Sequence, residues 1–315
     1  MSWQRNIKGT GVLAALGAAL LFGISTPISK SLLTTLNPWL LAGLLYLGSG
    51  IGLSIYRMIR RSTRPKLSLT EWPWLLGAIF SGGVIAPVLL MFGLTRMPAS
   101  GASLLLNAEG VFTALLAWFV FRENVDKRIA FGMLAIVVGA AILSWPSSIQ
   151  FSRLWPSLAV LGACLFWGID NNLTRKVSQT DATWIAALKG LIAGAVNLVL
   201  AVMIGVSIPS FYDVTAAMVL GCLAYGISLV LFVVSLRHLG AARTGAYFSV
   251  APFVGAIIAI PLLHESLSVK LIIAGLLMAL GVWLHLTEEH CHEHSHGSLT
   301  HTHAHFPDVD HRHDH

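Results

Sequence analysis

An all-α membrane protein of ten spanning helices, arranged as two inverted five-helix repeats, is the fold class that three observations predict. Apolar residues make up 56% of the 315, charged residues only 11%, and the mean hydropathy is +0.76. A water-soluble domain carries about 25% charged residues, so a chain this poor in charge must take lipid as its solvent. Apolar stretches close to the roughly 20 residues that cross a bilayer recur ten times. The two halves also repeat one another at a nearly constant offset.

The spans read as 11–33, 38–59, 73–95, 100–121, 128–145, 154–176, 181–206, 214–237, 242–263 and 268–286. The basic leader MSWQRNIKGT precedes the first. No small-residue cleavage pattern ends that stretch, which continues through Pro27 towards Lys30, so it reads as a spanning helix and not a signal peptide. The dividers TTLNP, RRSTRPKLSLTEWP, RENVDKR, SWPSSIQFSRLWP, RKVSQTD and SIPSFYD are polar or carry proline, and RHLGAAR is a tight join between the eighth and ninth spans. Trp39, Trp72, Trp74 and Trp155 fall at span edges, as an interfacial belt does. Cys164, Cys222 and Cys291 imply no disulfide framework.

Loop charge sets the expected orientation. With a cytoplasmic N-terminus, the inner segments carry 14 basic residues: Arg5, Lys8, Arg57, Arg60, Arg61, Arg64, Lys66, Arg122, Lys127, Arg128, Arg175, Lys176, Arg237 and Arg243. The outer loops carry three, Arg96, Arg153 and Lys270. Lys and Arg accumulate on the cytoplasmic side, so the pattern predicts a multi-pass protein of the cytoplasmic (inner) membrane with both termini inside. The net charge of +6 is then a mark of topology, and nucleic acid is not an expected partner. The expected organisation is an N-terminal segment 1–10, repeats over 11–145 and 154–286, and a disordered histidine-rich cytoplasmic tail over 287–315.

The repeat is visible when ALLFGISTPISKSLL is set beside CLFWGIDNNLTRKVS. Gly23 falls on Gly168 and Lys30 on Arg175, 145 residues apart. Leu94 falls on Leu236, Ala99 on Ala241, Glu123 on Glu265 and Gly139 on Gly281, each 142 apart. An odd number of spans per half inverts the second half relative to the first, which is how many secondary transporters are built. No G-x-x-x-x-G-K-[ST] run is present, so transport is expected to follow a gradient; no enzyme activity and no required cofactor are expected.

FGISTPISK and FWGIDNNLTRK open the two halves, and NAEGVFTALLAWFVFREN and SVAPFVGAIIAIPLLHES are apolar helices that end in glutamate. On these motifs, their order and the duplication, residues 10–286 resemble the drug/metabolite transporter superfamily, specifically its EamA type. The resemblance implies an inner-membrane carrier, in many members an exporter of amino acids, other metabolites or drugs. The chain departs from the pattern at Glu109-Gly110, where the second half has Ala251-Pro252. The histidine tail is not a general feature of the family either.

Charge inside a bilayer costs several kcal/mol unless paired or hydrated, so each case calls for a reason. Glu109 lies about nine residues into the fourth span, roughly 13 Å deep at 1.5 Å per residue. It reads as a protonatable coupling site, as a ligand for a cationic group, or as a glutamate satisfied by Asn107 or Ser103. Asp170 and Lys189 lie at similar depth on the sixth and seventh spans and suit a buried ion pair, either fixing packing or binding the two ends of a zwitterion. Asn171, Asn172 and Asn197 add polar lining. Lys30 and Arg175 hold equivalent places near helix ends, where long basic chains snorkel to headgroups, yet both follow helix-weakening stretches, STP and DNN. Glu123 and Glu265 read as structural.

The tail reads HCHEHSHGSLTHTHAHFPDVDHRHDH. Its histidines, His290, His292, His294, His296, His301, His303, His305, His311, His313 and His315, alternate in His-x-His pattern. Residues i and i+2 face one side of an extended chain, so neighbouring imidazoles can close on one ion. Imidazole suits zinc, nickel and cobalt; Cys291, Glu293, Asp308, Asp310 and Asp314 are further ligands.

The sequence therefore predicts an outward secondary carrier of a small metabolite or amino-acid-like solute with a metal-binding tail. A divalent-metal exporter fed by the tail is the competing reading, although no span carries a cluster of metal ligands; a metal-sensing membrane receptor without transport is a third. The stripe GLLYLGSGIG suits helix packing within one chain or between two, which keeps a homodimer among the expected partners, with the solute, the lipid bilayer and a divalent metal.

Overall fold

The sequence places its helix breakers, caps and glycines so that apolar stretches become helices that cross at close range. A computed structural model of the protein describes residues 2–62, 65, 67–121, 127–145, 151–177, 180–207, 209–239, 247–286, 290–296 and 299–305. Among the described residues the helices group into ten spans. Span 1 is Ser2–Leu32, with the basic leader continuous with it and Pro27 inside it. Span 2 is Pro38–Ile59, with Pro38 at its first position and the Asn37 side chain accepting from the Trp39 amide. Span 3 joins Trp72–Ala78, a π-helical Ile79–Ile85 and Ala86–Arg96; span 4 is split into Ala99–Leu105 and Ala108–Phe121. Span 5 is Lys127–Ser144 and span 6 is Phe151–Arg175. Span 7 is Ala182–Met203, span 8 joins Phe211–Gly221, a π-helical Cys222–Ile227 and Ser228–Leu239, span 9 contains Ala251–Leu263, and span 10 is Val269–Leu286. Among the described residues, six helical stretches are long and apolar enough to cross a membrane by length and composition, and shorter apolar helices lie at 130–144, 251–263 and 269–284.

The duplication reaches into the irregularities. Span 7 repeats span 2 with both ends 144 residues on (38 to 182, 59 to 203), and span 10 repeats span 5 with both ends 142 on (127 to 269, 144 to 286). The two π-helical turns fall at matching places in spans 3 and 8. The break in span 4 at Leu106-Asn107 answers the turn at Ser249-Val250 that opens span 9's helix.

Lipid offers no hydrophobic drive between helices, so close backbone approach at small residues must supply the packing. Spans 2 and 7 cross where Gly50 meets Gly190: a Cβ on Gly190 would lie 2.6 Å from the Gly50 nitrogen. Gly43 abuts Leu198, Gly48 abuts Met218 and Gly52 abuts Cys222. The stripe GLLYLGSGIG is therefore engaged within this chain by spans 7 and 8. Spans 5 and 10 meet in the same way, Gly139 against Ala274 and Met278, and Gly281 against Gly132 and Ile136. The halves interlock: span 1 packs on spans 8 and 9, and span 6 on spans 3 and 4. The aligned glycines mark these crossings, Gly23 against Ala251 and Val254, Gly168 against Phe112 and Thr113.

Expected to be disordered, the tail contains two described strands, β1 (His290–His296) and β2 (Leu299–His305), paired antiparallel. Residues 306–315, with His311, His313 and His315, lie outside the described residues, as does Glu123.

Candidate functional site

Span 4 breaks where it meets span 6, and the break organises the site. The Asn107 amide bonds back to the Leu104 carbonyl (3.1 Å) and the Glu109 amide to Leu106 (3.0 Å), tightening the chain between the two helices. Leu105 loses its helical donor, and its carbonyl accepts from Cys164 Sγ at 3.6 Å. Asn107 is buried; its Nδ2 donates to Leu104 O at 2.9 Å. Irregular backbone at membrane depth persists where protein or a cavity surrounds it.

Glu109 stands in the first turn after this break. Its Oε1 accepts from Asn171 Nδ2 at 2.9 Å, and the same amide donates to Thr113 Oγ1 at 3.2 Å. The carboxylate is thus held by Asn171 on span 6, and not by Asn107 or Ser103, the neighbours in sequence. Asn171 and Gly110 are exposed, and nothing lies within 4 Å of where a Gly110 side chain would start, so this face of the site is open.

One residue before Asn171, Asp170 turns inward. Lys189 Nζ donates to both of its oxygens, at 2.5 and 2.6 Å, and Thr174 Oγ1 to Oδ1 at 2.8 Å. The side chains are 16% and 8% exposed, so this is a buried pair. Span 3 makes room for it, since a Cβ on Gly82 would sit 1.9 Å from Asp170 Oδ2.

Gly82 has a second task. The Ala86 amide bonds five residues back to Ser81, and Pro87 has no N–H, so the Gly82 carbonyl has no helical donor. Tyr46 Oη (2.6 Å) and Trp167 Nε1 (3.0 Å) donate to it instead. The Tyr46 ring packs at 5.6 Å from Tyr225, which packs at the same distance on Phe22. Tyr46, Gly82, Thr113, Trp167 and Tyr225 are absent from the residues the sequence singled out. The one local signal was Gly82-Gly83 ahead of Pro87, the makings of a π turn.

The other sequence-selected residues separate. Asn172 is buried, its Nδ2 donating to Gly168 O (2.8 Å) and Thr113 O (3.1 Å), which straps span 6 to span 4. Asn197 is fully buried and its Nδ2 donates to Gly83 O (3.3 Å) and Val84 O (3.4 Å) at the π turn. Lys30 donates to the Leu94 carbonyl at the end of span 3, away from Glu109. Nearby Glu265 accepts from the Ala99 and Ser100 amides (2.6 and 2.9 Å), capping the first helix of span 4. The Arg175 side chain lies outside the described residues.

At the other end of span 7, Asp181 caps the helix and pairs with Arg57 of span 2. Partial burial pushes the Asp181 carboxyl up, but hydrogen bonds from Thr183 and Arg57 outweigh it and hold the group below its ordinary value. A cavity of about 430 Å³ opens between Thr35, Asn37 and Leu40 on one side and Ile204, Gly205, Val206, Ser207 and Pro209 on the other. No ionisable side chain lines it, so the charge-bearing chemistry belongs to the Glu109–Asn171–Asp170–Lys189 grouping.

The model of the EamA-like transporter family matches residues 9–145 and 154–287, once in each half. A protein of Methanothermobacter thermautotrophicus named an uncharacterized transporter is 28% identical, covering 87% of this chain and 85% of its own. A Salmonella typhimurium protein named a probable amino-acid metabolite efflux pump is 32% identical over 54% of each chain. A solved crystal structure superposes with a TM-score of 0.67 at 17% identity, over 88% of this chain and 98% of that one, a likeness of fold.

Proposed function

The chain belongs to the EamA-like transporter family, and from that premise we propose a secondary carrier that moves a small, amino-acid-like solute outward across the cytoplasmic membrane. Both termini face the cytoplasm in this reading, following the loop charges. Alternating access comes from rocking the two interlocked halves, with the π turns of spans 3 and 8 and the break in span 4 as the compliant points.

The observation that carries the reading is a carboxylate at a broken helix, open on one side and bonded to a neutral amide. An ionised group is costly there without a use. Glu109 exchanges a proton with the aqueous face and so couples solute movement to a proton gradient. Asp170 lies next to Asn171 on span 6, and the Lys189 cation that it holds from span 7 is the partner for a solute carboxylate. The efflux-pump name of the Salmonella relative supports both the direction and the substrate class. The histidine tail binds zinc, nickel or cobalt as an accessory and is not on the solute path.

The test is flux in proteoliposomes holding the full chain, with a panel of amino acids and related metabolites beside zinc, nickel and cobalt. Gradient-driven movement of an amino-acid-like solute is expected. Movement of the metals with no movement of any organic solute would overturn the proposal.

A further inference from the structure

We propose that residues 290–305 form a zinc-organised β-hairpin whose ligands are all histidines on one face, with Cys291 and Glu293 assigned to the opposite face and excluded from the site. The inference rests on the reading of the tail as a metal binder.

The register carries it. His290 pairs with His305, His292 with His303, and His294 with His301. Cys291 pairs with Ala304, Glu293 with Thr302 and Ser295 with Thr300. Alternate residues of a strand share a face, so the three histidine pairs stand on one face together with His296 and its partner Leu299, and the Cys291, Glu293 and Ser295 pairs stand on the other. Only Gly297 and Ser298 separate the strands, and Gly-Ser is one of the pairs that close a two-residue hairpin. The His-x-His alternation alone leaves the second strand free to pair in either parity; the two-residue connection selects the one in which histidine opposes histidine.

Spacing decides what the face can hold. Directly opposed residues stand about 4.5–5.5 Å apart at Cα, and successive same-face residues about 7 Å apart. Two neighbouring pairs therefore place four histidine positions on a small rectangle that suits a single ion taking four imidazoles, for which zinc with its tetrahedral preference is apt. His292 and His303 form the middle pair, shared by either choice of neighbour. Without them the outer pairs stand about 14 Å apart and cannot share an ion. A lone two-stranded hairpin is marginal in water, so ion and hairpin form together: the metal supplies the cross-link, and the pairing gathers the ligands.

The test uses the full chain in detergent, with zinc alone titrated against a chromophoric chelator. Three variants are compared with the parent: His292→Ala with His303→Ala, His311→Ala with His313→Ala, and Cys291→Ser. Both double variants keep eight tail histidines. The first is expected to weaken zinc binding by roughly tenfold or more, the scale on which losing pre-gathered ligands acts. The second should weaken it far less, and Cys291→Ser should leave it unchanged. Equal weakening in the two double variants, or a clear loss in Cys291→Ser, would overturn the hairpin while leaving a metal-binding tail in place. No zinc binding by the parent would remove both.

Discussion

Breaking the Asp170–Lys189 pair from one side is expected to cost far more than removing it whole. Lys189→Met leaves a carboxylate whose side chain is 8% exposed, with Thr174 as its remaining donor; Asp170→Asn leaves an ammonium on a side chain 16% exposed. Removing one partner of a buried pair costs about 3–5 kcal/mol, because the other is left as an uncompensated buried charge. Replacing both by neutral groups of similar size is often neutral or better. Asparagine keeps the shape that packs against Gly82, and methionine follows the lysine stem. Each single variant should therefore lose about 3–5 kcal/mol and the double variant under about 1 kcal/mol, a coupling that exceeds the scatter of additivity several-fold. The assay is unfolding in mixed micelles titrated with SDS, read by tryptophan fluorescence. Single losses below about 1 kcal/mol, the worth of an exposed pair, would refute the reasoning, as would a double loss equal to the sum of the singles. The folded double variant should also show reduced solute flux, because its lysine is the proposed partner of the solute carboxylate.

Other consequences follow from neighbouring contacts. In Gly82→Ala the new methyl begins 1.9 Å from Asp170 Oδ2 where ordinary contact starts at 3.4 Å, so the carboxylate must shift by about 1.5 Å; a stability loss of about 1–3 kcal/mol is expected in melts of the variant, and because the new methyl also meets Asp170 Cβ at 2.5 Å, an Asp170→Ala background should relieve only the part due to the carboxylate. Because the Asp181 carboxyl is held below its ordinary 3.8, its contribution is full above that pH and is lost as pH falls through the lowered value. Asp181→Asn keeps a capping oxygen but loses the charged pair with Arg57, so it should lower stability by at most about 1 kcal/mol near pH 7, and a thermal-melt series should show the gap to the parent closing below about pH 4. Deleting residues 290–315 should leave organic-solute flux intact while abolishing zinc binding by the purified chain.

How far the sequence reached depended on whether a feature was local. The spans were legible because twenty-residue apolar runs and their polar dividers are one-dimensional signals. The repeat was legible from glycines such as Gly23 and Gly168, which the fold uses at matching crossings. Asp170 and Lys189 could be matched by depth alone, each being counted from the same side of the membrane. The partner of Glu109 could not, because Asn171 lies 62 positions away and only the crossing of spans 4 and 6 brings it near. Asn172 sits beside Asn171, yet one step along a helix turns it about 100° away, into the packing with Gly168 and Thr113. Tyr46 and Trp167 looked like ordinary apolar-run aromatics, since the carbonyl they serve is freed only by a π turn. Stripes such as GLLYLGSGIG suit either an internal or an external partner, and the opposing glycines of span 7 decide in favour of the internal one.

The central claim is that Glu109 couples solute movement to a proton gradient, and Glu109→Gln tests it most directly. The amide is close in shape to the carboxylate and keeps an oxygen for Asn171 Nδ2, so the variant should fold, insert and bind. In proteoliposomes with an imposed pH gradient, solute accumulation is expected to fall to the level of a gradient-free control, while solute–solute exchange continues. Accumulation at the parent rate in the Glu109→Gln protein would contradict the assignment.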